Sequence, residues 1–199
     1  MNIIAYPIGD SLYLNLTNRC TNACTFCVRT TTEEGMGYDL WIDKEPTVSE
    51  MVEDIKAKGI ENYHELVLCG YGEPTERFAD MIEVVRQIKE YTPVKVRLNT
   101  NGHANLIAGC DVTAKMEGMI DVISISLNAP DAKKYNEICV CQYGEEGFYG
   151  MLDFAKKAKK YVPEVVFSVV DVMDKDDIEA CRLIAEDIGV KFRVRELIK

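Results

Sequence analysis

Histidine and tryptophan are nearly missing from this 199-residue chain, with two of the former and one of the latter. Only His64 and His103 could give a metal a nitrogen ligand. Long apolar runs are missing as well. None reaches the roughly 18 residues that a transmembrane helix needs. The first ten residues carry neither a basic stretch nor an apolar one after it, so no secretory signal is expected and the expected address is the cytoplasm. Positive charge is in deficit, since 23 Lys and Arg against 33 Asp and Glu leave a net −10. That sign repels phosphate backbones and argues against a general nucleic-acid coat, while leaving room for a local basic cleft. Repeats, low-complexity tracts and a second composition regime are absent, so one domain over residues 1–199 is expected.

What is present is a soluble globular balance, 47% hydrophobic and 28% charged. Strand-like and helix-like segments alternate along the chain. Strands are expected at 11–16, 65–69, 94–98, 121–127, 164–170 and 191–197, and helices at 48–59, 77–90, 105–117, 146–161 and 175–188. Val48, Met51, Val52 and Ile55 recur at helical spacing before Gly59, as do Phe78, Met81, Ile82, Val85 and Ile88 on the next helix. Six strands alternating with helices predict an α/β fold with a mainly parallel six-stranded sheet. Between the first strand and the first helix lies a long loop, roughly 17–47, and loops of that length are usually functional or disordered.

That loop holds Cys20, Cys24 and Cys27, spaced C-x3-C-x2-C, three of the chain's eight cysteines. In a cytosolic chain such a cluster points to metal or redox chemistry before disulfides. Structural zinc wants four ligands, usually in two separated pairs. An iron–sulfur cubane held by three thiolates keeps one iron open. Buried thiols, or three ligands of a zinc site completed by another cysteine, remain the alternatives at this point.

The triplet after a first strand, with Phe26 before its last cysteine, resembles the radical S-adenosylmethionine (radical SAM) superfamily. Gly70-Tyr71-Gly72-Glu73-Pro74 is similar to that family's GGEP turn, with Tyr71 in place of the first glycine. The resemblance implies an incomplete (β/α)6 TIM-like barrel with a [4Fe-4S] cluster on Cys20, Cys24 and Cys27. It also implies S-adenosylmethionine on the open iron, cleaved reductively to a 5′-deoxyadenosyl radical that abstracts hydrogen from a substrate. By the same resemblance, Gly72, Glu73 and Pro74 hold the methionine amine. Asn99 in LNTNG holds ribose, Ser126 and Asn128 in ISISLN take ribose hydroxyls and the methionine carboxylate, and the segment from Val170 to residue 173 packs on adenine. A flavodoxin or ferredoxin is implied as reductant.

Within the superfamily, LNLTNRCTNACTFCVR, CGYGEPTER, VRLNTNG and SLNAPDAKKYNEIC look most like the TatD-linked radical SAM proteins, encoded beside TatD-type hydrolases. Glycyl-radical-enzyme activases and carboxydeazaguanine-synthase-like enzymes are the rival relatives. A non-catalytic zinc-binding module is the rival from another class.

Other residues receive blander expectations. Cys139 and Cys141 could join Cys110 in a second cluster, but an incidental C-x-C is favoured, and Cys69 and Cys181 read as core. His64 and His103 read as surface histidines. Arg97 and Asp171, among apolar strand neighbours, need a partner or ligand. Arg193 and Arg195 share one face of the last strand, either a charged edge or a lumen face suited to a substrate anion. Arg29, Tyr38 and Trp41 are expected to cover the cysteine site as a lid.

Overall fold

The computed structural model describes residues 2–31, 37–171 and 173–196. Residue 172, in the expected adenine segment, and the end of the last expected strand lie outside them. Seven strands form one sheet in sequence order: β1 (Ala5–Ile8), β2 (Ser11–Leu14), β3 (Glu65–Leu68), β4 (Lys95–Thr100), β5 (Val122–Ser126), β6 (Glu164–Val170) and β7 (Lys191–Arg195). From β2 to β7 every pairing is parallel, which gives the six expected strands. The seventh, β1, pairs antiparallel with β2 through a two-residue turn in which Gly9 adopts φ 55°. A glycine supplies that left-handed turn without steric cost. Because β1 and β7 do not pair with each other, the barrel stays open.

Helices α1 (Val28–Thr31), α2 (Val48–Ala57), α3 (Phe78–Tyr91), α4 (Ala104–Ala108), α5 (Ala132–Cys139), α6 (Glu146–Ala158) and α7 (Lys175–Ile188) occupy the connections. Helix α2 begins at a Thr47–Glu50 capping box, which satisfies donors the first turn would otherwise leave open. The single helix expected at 105–117 is instead α4 and a 3-10 turn at Thr113–Met116, split where Gly109 takes φ 66°. Helix α5 lies outside the five helices expected from the sequence. Asp131 caps it by accepting from the Lys134 amide at 2.9 Å.

Alternation along each strand divides the sheet into two faces. Leu66, Leu68, Val96, Leu98, Ile123, Ile125, Val165 and Phe167 face the helices and are buried. They meet Met51 and Ile55 of α2, Met81, Val85 and Ile88 of α3, and Phe154 and Ala158 of α6 in one apolar core. The opposite face, toward the lumen, is polar: Glu65, Arg97, Asn99, Ser124, Ser126 and Ser168 stand there in register with Lys191, Arg193 and Arg195. Charged partners close the lower lumen, with Arg97 on Glu65 at 2.6 Å and Lys191 on Glu164 at 2.6 Å. Arg97 thus has the partner its position demands.

Helix α5 ends at Val140, a β-branched residue at φ 45°. Its side chain is exposed, so no packing rewards the left-handed backbone. Val140→Gly is expected to raise stability by about 1 kcal/mol, read as an upward Tm shift in thermal denaturation. A fall in Tm would contradict it.

Candidate functional site

The strand ends of β3, β4 and β5 and the cysteine loop converge on one cavity of about 240 Å³ at the carboxyl end of the sheet. It is lined by Cys20, Cys24, Cys27, Phe26, Gly72, Glu73, Asn99, Ser126, Asn128 and Val170. Ten of the eleven expected site residues therefore stand together; Pro74 lies just behind, opening a buried 3-10 turn at Pro74–Arg77. Beside this cavity lies a second one of about 310 Å³, which shares Phe26, Asn128 and Val170 and adds Ile138, Met173, Asp174 and Asp177.

Gly72 owes its place to close packing. A Cβ there would stand 2.3 Å from the Thr17 carbonyl oxygen and 2.6 Å from that of Arg19. The turn is thereby pressed onto the strand end that launches the cysteine loop, and the Glu73 amide donates to Arg19 O at 2.7 Å. Tyr71 points away from the cavity, stacking edge-on with Trp41 at 5.3 Å.

The Glu73 carboxylate is part of the turn's own frame. It is buried and accepts four hydrogen bonds: from the Thr75 amide at 3.1 Å, Thr75 Oγ1 at 2.7 Å, Thr100 Oγ1 at 2.7 Å and the Asn101 amide at 2.7 Å. Burial pushes its pKa up and these donors oppose the rise. Three of these donors meet Oε1 and one meets Oε2, so the acid fixes the turn while it lines the cavity.

The cysteine loop is laced from both sides. Ala23 N donates to Cys139 O at 3.0 Å, Thr25 N to Ile138 O at 3.0 Å and Gln142 N to Thr21 O at 2.9 Å. From the other side Asn101 Nδ2 donates to Thr21 Oγ1 at 2.7 Å. His103, expected at the surface, is fully buried beneath the loop. Its Nδ1 lies 2.8 Å from Thr21 Oγ1 and its Nε2 3.1 Å from Gly147 O. Since the Gly147 carbonyl only accepts, Nε2 carries the proton and Nδ1 accepts from Thr21. Burial depresses the His103 pKa to about 4. His64 is exposed as expected.

Burial pushes the Cys20 thiol up to about 12 and raises Cys27, whereas a hydrogen bond from Cys139 pulls Cys24 down. Arg29 favours the thiolate at all three positions. It donates to the Asn18 carbonyl at 3.4 Å and the Asn22 carbonyl at 3.1 Å, so it ties the loop rather than covering it. Tyr38 and Trp41 do not serve as a lid. Tyr38 packs on Tyr6 at 5.2 Å, Trp41 packs on Tyr71, and neither lines the cavity. Cys69 is corrected from core to cavity lining, while Cys181 is core. Cys110 is exposed and Cys139 and Cys141 are buried.

Among the described residues no three His, Cys, Asp or Glu side chains converge closely enough to hold a single metal ion. A tetrahedral zinc site demands that convergence. The three thiols line one shared cavity, and a cubane takes each thiolate on a different iron. Among the described residues five buried side-chain polar atoms lack a hydrogen-bond partner, and three of them, Asn22 Oδ1, Asn128 Oδ1 and Arg195 Nε, belong to residues lining this cavity. Buried polar groups are normally paired, so the cavity has the donor and acceptor set of a site that takes a polar ligand.

Residues 14–188 match the family model described as the Radical SAM superfamily. The chain is similar to a curated protein, the probable dual-specificity RNA methyltransferase RlmN of Carboxydothermus hydrogenoformans. Identity is 27% over 144 residues, covering 68% of this chain and 39% of that protein. The chain thus spans about two-fifths of the length of that relative. Among solved structures it resembles a radical SAM methyltransferase from Sphaerobacter thermophilus, with TM-score 0.65 and 14% identity over 96% of this chain and 68% of that one. It also resembles HydG, a maturase of the [FeFe]-hydrogenase, with TM-score 0.66 and 16% identity over 94% and 42%. Streptococcus suis SuiB bound to S-adenosylmethionine gives TM-score 0.62 and 14% identity over 94% and 38%. At these identities the structural likeness shows the fold, a partial TIM barrel with a mostly parallel sheet.

Two expectations follow from the polar frame. Glu73→Gln places an amide NH2 against the donors that hold the acid and should destabilise the chain by about 1–3 kcal/mol in denaturant unfolding; an unchanged midpoint would contradict the frame. His103 binds its proton near 6.5 when unfolded but only near 4 when folded. Stability should therefore fall as pH drops from 6.5 to 4, by on the order of 3 kcal/mol. In His103→Gln that part of the pH dependence should be missing.

Proposed function

The chain belongs to the radical SAM superfamily, and from that premise we propose that it is a radical enzyme whose site is the cavity at the carboxyl end of β3, β4 and β5. The family's cofactors are a [4Fe-4S] cluster and S-adenosylmethionine. We assign the cluster to Cys20, Cys24 and Cys27. The single observation that carries the assignment is that these thiols share one cavity with three orphaned polar groups. When bound, the two cofactors supply reductive cleavage of a sulfonium carbon–sulfur bond and a carbon radical that takes hydrogen from a substrate.

The chain's own residues bind and orient. The backbone of the Gly72–Pro74 turn meets the amino end of the cofactor, held rigid by the engaged Glu73 carboxylate. Asn128, with its orphaned Oδ1 between the two cavities, and Ser126 serve the carboxylate and ribose, and Asn99 the ribose. Phe26, Val170 and Met173 offer an apolar slot for adenine, and Asp174 and Asp177 at its border can accept from an exocyclic amine. Arg29 stabilises the thiolate form of the ligands.

The finer reading is a TatD-linked radical SAM protein, supported by the four sequence motifs quoted above. It brings a flavodoxin or ferredoxin reductant, association with a TatD-type hydrolase and a cytoplasmic setting. Among the described residues no helix is long and apolar enough to cross a membrane. A glycyl-radical-enzyme activase and a carboxydeazaguanine-synthase-like enzyme share the same core. The zinc module is disfavoured by the family match.

Anaerobic reconstitution with iron and sulfide, then S-adenosylmethionine and dithionite, should yield 5′-deoxyadenosine by chromatography. Alanine at Cys20, Cys24 or Cys27 should abolish both the brown colour and the product. Iron retained in all three single variants would refute the ligand assignment, and colourless zinc-loaded protein would restore the rival class.

A further inference from the structure

Arg193 and Arg195 stand two residues apart on the lumen face of β7, roughly 7 Å along the strand. On that face Glu65–Arg97 and Glu164–Lys191 are ion-paired, while Lys95 stands exposed at the lower rim. Glu65 accepts from Arg97 and Glu164 from Lys191, so the lower acids are already spent. Arg193 reaches only the Ser124 hydroxyl, at 3.4 Å. Arg195 makes no ion pair among the described residues, and its buried Nε has no hydrogen-bond partner. Glu196 lines the same cavity without an ion pair to it. Burial and the neighbouring Arg193 both work against the Arg195 charge. Arg193 is exposed and Arg195 half-buried with its Nε enclosed, and a partly desolvated cation without an ion pair favours a counter-ion.

The two arginines connect two spaces. Arg195 lines the cysteine cavity together with Asn99 and Ser126. Arg193 lines a lower lumen cavity of about 470 Å³ with Arg97 and Ser124. Asn99 and Ser124 are direct register partners, and Arg97 donates to Asn99 Oδ1 at 3.2 Å, so the two spaces adjoin. We propose that Arg193 and Arg195 form an anion seat in the barrel lumen, which holds the carboxylate or phosphate of a small substrate while the rest of it faces the cysteine cavity.

Guanidinium forks suit both anions bidentately. Against a net chain charge of −10 this seat is a local inversion of sign, which would draw an anion past an acidic exterior. The substrate class rests on the radical-enzyme reading, but the seat itself is a property of the apo chain.

Thermal melting of the full chain, without cluster, in phosphate, malonate or neutral malonamide at ionic strength matched with chloride tests the seat. Phosphate or malonate should raise Tm by roughly 2–4 °C or more, malonamide should not, and the active anion distinguishes the two chemistries. The shift should vanish in Arg195→Gln, shrink in Arg193→Gln and persist in Arg86→Gln, a surface control. If Arg195→Gln does not melt cooperatively, Arg193→Gln decides. An equal shift in either lumen variant, or no anion-specific shift, overturns the proposal. On reconstituted protein the shift should survive saturating S-adenosylmethionine; its loss would mean the arginines serve the cofactor's own carboxylate, and also overturns it. None of these melts requires radical chemistry, so an absence of 5′-deoxyadenosine alongside a specific anion shift would refute the enzyme reading alone.

Discussion

Everything at the carboxyl end of this sheet hangs on a carboxylate buried without a counter-ion. Glu73 takes four donors from two strand ends, and each donor is itself in a turn that would otherwise have free amides or hydroxyls. Hydrogen bonds to a charged acceptor are worth roughly twice neutral ones, so the knot is strong as well as polar. It joins the turn after β3 to the end of β4. From there it continues through Asn101 to Thr21, to His103 and to the α6 end at Gly147. The cysteine loop is anchored at its far end by buried Leu40 and Ile42. It is held in place because this chain of polar contacts passes beneath it.

That arrangement explains two details that look incidental in the sequence. Gly147 leaves no room for a side chain, since a Cβ would lie 2.4 Å from Cys141 Sγ and 3.2 Å from His103 Nε2. Tyr135, 113 residues from Asn22 in the chain, accepts from Asn22 Nδ2 at 2.9 Å, lies 3.2 Å from the protonated His103 Nε2 and stacks edge-on with the imidazole at 6.1 Å. Ordering a ligand-bearing loop in advance removes an entropic cost from cofactor binding. The same contacts keep donors directed at the thiols, where Asn22 N lies 3.4 Å from Cys20 Sγ.

The sheet and the cavity were largely legible because each depends on local pattern. Short apolar runs mark β3 and β6, period-two runs mark β4 and β5, helical stripes mark α2 and α3, and the cysteine triplet lies within eight residues. The misses share another cause. Strand β1 has only four residues and contains Pro7, which weakens any strand signal, although the Gly9-Asp10 turn between two alternating runs is a hairpin cue. Helix α5 has eight residues, mostly polar, and is defined by its Asp131 cap. His103 could not be placed from sequence, because its partner Thr21 is 82 residues away and only the closed fold brings them together. The polar run Asn99-Thr100-Asn101 at the end of an otherwise apolar strand was the available signal for that network.

Stability and function are divided between the two faces of the same strands. In a closed eight-stranded barrel, layers of branched aliphatic side chains fill the interior. Here the sheet is open between β1 and β7, and its lumen carries Glu65, Arg97, Asn99, Ser124, Ser126 and Ser168. Few apolar side chains, among them Val67, Val122, Val166 and Val170, are buried on that face, and the main apolar core lies on the other side, against the helices. Because side chains alternate strictly along a strand, a residue can be exchanged on the lumen face without removing one from that core. A partial barrel can therefore change what it holds in its lumen while its packing stays the same, which is the condition under which Arg193 and Arg195 can persist as unpaired charges without loosening the fold.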